Sequence, residues 1–151
     1  MNKESLYQSL NSQVVALIED ETNLIANLAN VSALLNLSLE DINWVGFYLL
    51  ENDTLVLGPF QGNPACVRIP VGKGVCGTAF AEKQTQRIDN VHDFEGHIAC
   101  DAASNSEIVI PLIKDGNYIG VLDIDSPSLS RFDSDDQTGL ERIMASLAEH
   151  L

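Results

Sequence analysis

The sequence predicts an α+β domain in which helices lie at the two ends of the chain and strands lie between them. Three observations predict this class: two stretches with helical periodicity at the start, short apolar runs separated by turns in the middle, and an amphipathic stretch at the end. The chain has 151 residues, of which 45% are hydrophobic. Such a length suits one globular domain over residues 1–151 with a single core.

Two helices are predicted near the N-terminus. Apolar residues recur at helical spacing over residues 5–18, and polar, cap-forming residues at 20–23 interrupt them. A second apolar stripe runs from about residue 22 to residue 35 and is too wide to be left exposed to water. We therefore expect both helices to pack against a sheet or against each other.

A hairpin is predicted next. Residues 42–50 are rich in β-branched and aromatic side chains, and the polar turn at 51–53 leads into a strand over 55–60. The following shorter elements are predicted to be a strand over 67–69, a helix over 76–82 and a strand over 85–88.

A second hairpin is predicted closer to the C-terminus. The apolar runs 107–113 and 118–124 are joined by Asp115-Gly116, which is a strong hairpin signal. They are expected to be central antiparallel strands. Residues 90–106 before them have almost no periodicity, which is typical of a long functional loop.

The last predicted element is an amphipathic helix that continues to Leu151. Ser134 and Gln137 have the form of a capping box, in which the two side chains satisfy free backbone donors at the start of a helix. This order of elements predicts helices on one face of a mostly antiparallel sheet.

The charge balance argues against two classes of partner. The chain has 8 basic and 22 acidic residues and a formal net charge of −14, which repels nucleic-acid backbones and anionic lipid surfaces. No apolar run approaches the length of a membrane span, and the N-terminal sequence lacks the pattern of a signal peptide. We therefore expect a cytoplasmic protein that binds neither nucleic acid nor membrane.

Three cysteines lie in the stretch from residue 64 to residue 125. In a reducing compartment, an odd number of cysteines indicates buried thiols, metal ligands or redox chemistry rather than a disulfide framework. Cys100 lies in the irregular loop three residues after His97, whose imidazolium form would increase the thiolate fraction. Cys66 begins a short strand, and Cys76 opens a helix whose dipole favours a thiolate. An inert loop cysteine, a packed strand residue and a small core residue remain the respective alternatives.

Five stretches carry a resemblance to a known family: INWVGFYLL, LGPFQG, ACVRIPVGKGVCGTA, DFEGHIACDAASNSEIVIPL and GVLDIDS. Together they are similar to the free methionine-(R)-sulfoxide reductases, single-domain enzymes of the GAF fold. The similarity covers nearly the whole chain. It is specific, because GAF domains in general do not share the three-cysteine pattern or the CDAxSxSE stretch.

The resemblance implies about six antiparallel strands, with the terminal helices on one face and ligand-enclosing loops on the other. It also implies that the enzyme repairs oxidised free methionine, not methionine sulfoxide within proteins. Cys100 would be the nucleophile and Cys66 the resolving thiol. Cys76 matches a third family cysteine, for which we expect an auxiliary, second resolving role. The expected partners are free methionine-(R)-sulfoxide, thioredoxin as reductant, and a second copy of the chain in a homodimer.

Three carboxylic acids are candidates for substrate binding. Asp123 and Asp125 are two residues apart on one predicted strand, so their side chains should face the same side of the sheet, and Glu107 lies on the neighbouring strand. Charge on such apolar strands is costly unless it is paired, protonated or facing a cation, and a free amino acid carries an ammonium group. A carboxyl with a raised pKa would instead protonate the sulfoxide oxygen. Solvated charge at a strand end remains the alternative, especially for Asp125.

Two aromatic residues are further candidates. Trp44 and Tyr48 alternate along one strand and would form a wall for an S-methyl group, although ordinary core packing remains the alternative. The resemblance favours the substrate-binding role for Trp44.

Two other signals are weak. Residues 72–77 spell GxGxxG, but the alternating strands and helices of a dinucleotide-binding fold are missing. A zinc site made of Cys66, Cys76, His97 and Cys100 would lack any CxxC pair. We therefore expect neither a cofactor nor a metal. The alternative function, from a different class, is a non-catalytic GAF module that senses a small molecule or redox state.

Overall fold

The computed structural model describes residues 2–98, 100 and 102–151. Its helices and strands, in chain order, are α1 Lys3–Ile18, α2 Leu24–Ser38, β1 Trp44–Glu51, β2 Thr54–Gly62, β3 Arg68–Pro70, α3 Gly74–Glu82, β4 Gln86–Ile88, β5 Ser106–Lys114, β6 Asn117–Ser126 and α4 Ser134–His150. A short 3-10 turn, Val91–Asp93, lies between β4 and β5. Each predicted helix and strand is present, and the ends differ by only a few residues.

The strands form one six-stranded sheet in the order β3-β2-β1-β6-β5-β4, and each neighbouring pair is antiparallel. This arrangement confirms the predicted α+β class. The β5–β6 hairpin turns at Asp115 and Gly116, with φ angles of 51° and 78°. Positive φ at both positions is what a two-residue hairpin turn requires, so the local signal was correct.

One face of the sheet is covered by α2 and α4, and α1 packs against both of these helices. Their apolar stripes meet the sheet in the larger core, which includes Leu10, Val14, Leu28, Leu35, Phe47, Leu122, Ile124, Leu140, Ile143 and Leu147. The terminal helices therefore share one face, as predicted. None of the helices in the described part of the chain is long and apolar enough to cross a bilayer.

The start of α4 differs from the sequence prediction. The N-cap is Asp133, whose carboxylate accepts hydrogen bonds from the backbone N–H groups of Asp135 and Asp136, each at 3.0 Å. The Asp136 carboxylate in turn accepts from the Asp133 N–H at 2.9 Å. The capping box predicted from Ser134 and Gln137 is therefore wrong by one residue, because Asp and Ser are equally good caps and tertiary contacts of Asp136 select the register.

The opposite face carries α3 and the loops that follow β2 and β4. A second apolar cluster lies there and includes Trp44, Tyr48, Leu55, Ile69, Val75, Cys76, Ala79, Val109 and Val121. The functional candidates lie on this face, away from the terminal helices.

Candidate active site

The pairing of three strands builds a row of polar and aromatic side chains. Asp125 on β6 lies opposite Trp44 on β1 and opposite Glu107 on β5, and Asp123 lies opposite Gly46. Residues that face each other across paired strands point to the same side of the sheet. The expectation that Asp123 and Asp125 share a side is therefore confirmed.

These side chains form part of the wall of a cavity under the loops. In this disulfide-bonded form the cavity is narrow, with a volume of about 40 Å³, and it is partly open to solvent. The lining residues are Trp44, Tyr48, Ala65, Ile69, Gly74, Val75, Cys76, His97, Ile98, Cys100, Ser104, Glu107, Asp123 and Asp125. Cys66, the remaining candidate, is bonded to one of them.

A glycine lets α3 approach the cavity. Gly74, the first residue of α3, has a φ of 62°, and a Cβ at this position would meet the side chain of Ile98 at 3.1 Å. Only glycine adopts this backbone conformation at little cost. The following residues, Val75 and Cys76, consequently reach the cavity wall.

A disulfide joins Cys66 and Cys100, whose Cα atoms are 5.3 Å apart and which lie 34 residues apart in sequence. Cys66 lies between β2 and β3, and Cys100 lies in the long connection between β4 and β5. The pairing implied by the family resemblance is therefore present. In this oxidised form two of the four ligands of the hypothetical zinc site are not available, because a disulfide sulfur is no longer a thiolate.

The three carboxylic acids are buried together. Glu107, Asp123 and Asp125 are 7%, 5% and 9% exposed. The alternative of a solvated Asp125 at a strand end is wrong, because β6 continues to Ser126 and is flanked on both sides by other strands. Burial is the main reason why the pKa values of Glu107 and Asp123 are raised, and the neighbouring carboxylates raise the pKa of Glu107 further.

The protonation of this cluster follows from its contacts. Asp123 Oδ1 is buried and accepts no hydrogen bond within the described part of the chain. Two carboxyl groups in contact form a hydrogen bond only if one of them holds a proton. The cluster therefore favours either a shared proton or a bound cation.

Cys76 lies beside these acids. Its Sγ atom and a carboxylate oxygen from each of Glu107 and Asp123 lie within 4.8 Å of one another. The thiol is buried, which together with the nearby carboxylates raises its pKa well above the usual value. The helix-dipole argument from the sequence therefore gave the wrong direction, because desolvation outweighs the dipole. One thiol and two carboxyls suit a metal cation or an ammonium group, and the sequence analysis missed this set.

Two further polar residues line the cavity. His97 has a lowered pKa, mainly because of burial and secondly because of His92, so the imidazolium anticipated beside Cys100 is disfavoured near neutral pH. Ser104 is only 7% exposed, and its Oγ accepts a hydrogen bond from Asn43 Nδ2 at 3.2 Å. Ser104 stands in the CDAxSxSE stretch, but the sequence analysis did not single it out as a site residue.

Comparison with known proteins agrees with the fold. The GAF domain family model matches residues 15–151. Free methionine-R-sulfoxide reductase of Escherichia coli is 62% identical over 151 residues, which cover 100% of this chain and 92% of that protein. The chain belongs to the free methionine-R-sulfoxide reductases of the GAF family.

Solved structures of this reductase family match the whole fold. One is free methionine-R-sulfoxide reductase from Neisseria meningitidis in complex with its substrate, which is 45% identical with a TM-score of 0.95 and covers 99% of this chain and 90% of that one. Another is fRMsr of Staphylococcus aureus in complex with substrate, which is 59% identical with a TM-score of 0.92 and covers 96% of this chain and 95% of that one. The predicted GAF fold is therefore confirmed.

Proposed function

We propose that this chain reduces free L-methionine (R)-S-oxide to L-methionine, with Cys100 as the nucleophile and Cys66 as the resolving thiol. The observation that carries the proposal is the Cys66–Cys100 disulfide at a cavity lined by three buried carboxylic acids. The family assignment supports the same reaction.

The proposed cycle has three steps. The Cys100 thiolate attacks the sulfoxide sulfur and the oxygen is protonated. The resulting hydroxyl passes to the Cys100 sulfur as the substrate S–O bond and the transient bond between the two sulfurs break, so methionine leaves and Cys100 becomes a sulfenic acid. The Cys66 thiol then attacks the Cys100 sulfur, which forms the disulfide and releases water. An external dithiol finally reduces the disulfide to two thiols and is itself oxidised. Each cycle moves two electrons from the dithiol to the sulfoxide.

The carboxylic acids supply the proposed selectivity for the free amino acid. Glu107, Asp123 and Asp125 form a buried acidic cluster that would pair with the substrate ammonium group. A methionine sulfoxide within a peptide chain has no such charge. Because their pKa values are raised, Glu107 and Asp123 favour the protonated form, which provides a proton donor for the sulfoxide oxygen.

The aromatic residues of β1 would hold the S-methyl end of the substrate. The Trp44 and Tyr48 rings are stacked with centroids 6.0 Å apart, and both line the cavity. Methyl and sulfur groups pack favourably on such rings.

Thioredoxin as the reductant, a homodimer and a cytoplasmic location stay predictions. The alternative of a non-catalytic sensor treats the three cysteines as incidental or merely redox-sensing. It gains no support from the cavity, because a disulfide at its wall beside proton-holding acids is what the reductase cycle requires.

The test is a turnover assay with a dithiol reductant. We expect reduction of free methionine-(R)-sulfoxide, with little or none of the S epimer or of a peptide-bound form. Cys100→Ser should abolish turnover, whereas Cys66→Ser, in a single-turnover reaction without the dithiol, should release about one methionine per chain and stop as a sulfenic acid. Multiple turnover by the Cys100→Ser variant would exclude the proposed nucleophile.

A further inference from the structure

The connection that carries Cys66, residues 63–67, is held in place by donors from the neighbouring strands. The Tyr48 hydroxyl donates to the backbone carbonyl of Cys66 at 2.8 Å. Trp44 Nε1 donates to the carbonyl of Asn63 at 3.1 Å. A backbone bond from the Leu57 N–H to the Val67 carbonyl, at 2.9 Å, holds the other end. Two of these three bonds come from side chains of β1.

Tyr48 is a rigid donor. It lies on β1, between β2 and β6, opposite Leu57 and Val121, and it is 2% exposed. Its ring stacks on Trp44, which in turn stacks on Phe60 with centroids 5.2 Å apart. Burial also raises the pKa of the Tyr48 phenol, so the hydroxyl keeps its proton and remains a donor.

The hydroxyl adds something that the ring alone does not supply. An apolar wall for an S-methyl group needs only the ring, and phenylalanine would provide it. The hydroxyl instead contacts the main chain of the resolving cysteine. Because forming a disulfide requires two cysteines at a narrow range of separations, any ordering of the 63–67 connection before closure reduces the entropic cost of that step.

We propose that the Tyr48 hydroxyl, assisted by the Trp44 indole N–H, is a positioning group that holds Cys66 ready to form the disulfide with Cys100. This inference rests on the proposed function for its place in the catalytic cycle. In this step the Cys66 thiol attacks the Cys100 sulfenic acid, an S–S bond forms, the S–O bond of the sulfenic acid breaks, and water leaves.

The first experiment measures the equilibrium between the Cys66–Cys100 disulfide and glutathione, without any sulfoxide. In Tyr48→Phe we expect the equilibrium constant for disulfide formation to fall about three- to tenfold, the factor that one neutral hydrogen bond is worth. The matched control is Tyr7→Phe, which also removes a buried hydroxyl, one that donates to Asp136 at 2.6 Å in the other core. The control should keep the wild-type equilibrium, since lost stability alone affects the oxidised and reduced folded forms equally.

A second variant covers the case in which Tyr48→Phe does not fold. Trp44→Phe removes the other side-chain donor to the same connection and should shift the glutathione equilibrium in the same direction. A wild-type equilibrium in the folded Tyr48→Phe protein, or in Trp44→Phe if only that variant folds, would overturn the proposal.

The second experiment examines the catalytic step itself. After one turnover with free methionine-(R)-sulfoxide, Tyr48→Phe should yield more sulfenic acid at Cys100, trapped with dimedone, and less disulfide than wild type. Equal trapping in the two proteins would overturn the kinetic role. If the wild-type protein releases no methionine, the proposed function fails instead, while the glutathione measurement still tests the positioning of Cys66.

Discussion

Cys76 is held as a neutral thiol by its surroundings. It is 4% exposed and lies against the Glu107 and Asp123 carboxyl groups. Burial is the largest reason for its raised pKa, and the charges of the neighbouring acids add to it. Since a thiolate and not a thiol is the nucleophile, these surroundings make Cys76 a poor resolving residue. Its position instead suits a hydrogen bond from the thiol to Asp123.

The first prediction concerns this residue. Cys76→Ser should keep multiple turnover, with kcat/KM within about tenfold of wild type, because the serine hydroxyl is also able to donate to Asp123 and one hydrogen bond is worth about 1 kcal/mol. Steady-state assays with a dithiol, combined with mapping of the disulfide, check this outcome. Cys66→Ser is the matched control: without the dithiol it should release about one methionine per chain and stop as a sulfenic acid, with no disulfide at Cys100. If Cys76→Ser stalls in the same way, Cys76 is a resolving thiol after all.

At the scale of elements, α1 and α4 are joined by a buried acid. Asp136 is 1% exposed and accepts from Lys3 Nζ at 2.7 Å and from the Tyr7 hydroxyl at 2.6 Å. Arg131 lies 3.3 Å from the same carboxylate. One side chain therefore caps α4 and connects it to α1, so the start of the last helix and the first helix depend on each other.

The second prediction tests this connection. Asp136→Asn should lower the free energy of unfolding by roughly 2 kcal/mol, because the buried Tyr7 hydroxyl and the partly exposed Lys3 and Arg131 cations lose their anionic partner. Asp133→Asn is the control: its side chain is 54% exposed, and asparagine is an equally good N-cap, so the loss should stay below about 1 kcal/mol. Urea unfolding of both variants gives the comparison. Equal losses would mean that capping, and not the contact with α1, stabilises this end of the fold.

The sequence predicted the elements that are determined by residues close to one another in the chain, but not the features that depend on distant contacts. The helices and the Asp115-Gly116 hairpin follow from periodicity and turn chemistry within a few residues, and they were predicted correctly. The start of α4 was not, because Lys3, 130 residues away, takes part in selecting the capping box. The burial of Asp125 was left open by the sequence, since it depends on the pairing of β6 with β1 and β5. Ser104 lies in the CDAxSxSE stretch, yet nothing local to it indicated that its side chain would line the cavity.

At the scale of the whole molecule, two sets of acids make the free energy of unfolding change with pH in opposite directions. Glu107 and Asp123 have raised pKa values, mainly because of burial. Such acids contribute stability that is complete below their unfolded pKa and is lost as the pH rises through the folded one. Asp133 has a lowered pKa, chiefly because of the hydrogen bond from Lys3, and its contribution is lost as the pH falls below the ordinary value of 3.8. The free energy of unfolding should therefore be greatest on the acid side of neutrality.

The last prediction is that Glu107→Gln raises the melting temperature of the reduced, ligand-free protein at pH 8 while it abolishes or strongly lowers turnover. At pH values below 4.5, the ordinary pKa of the glutamate, the variant should have little or no advantage. The reason is that the buried cluster then has one fewer carboxyl group to keep away from water in a charged form. Thermal unfolding between pH 4 and pH 9 measures both effects, and the exposed Glu51→Gln serves as the control for net charge. If Glu107→Gln melts at a lower temperature than wild type throughout this range, the Glu107 carboxyl stabilises the empty site. The buried acids would then not lower the stability of the protein as a consequence of their role in substrate binding.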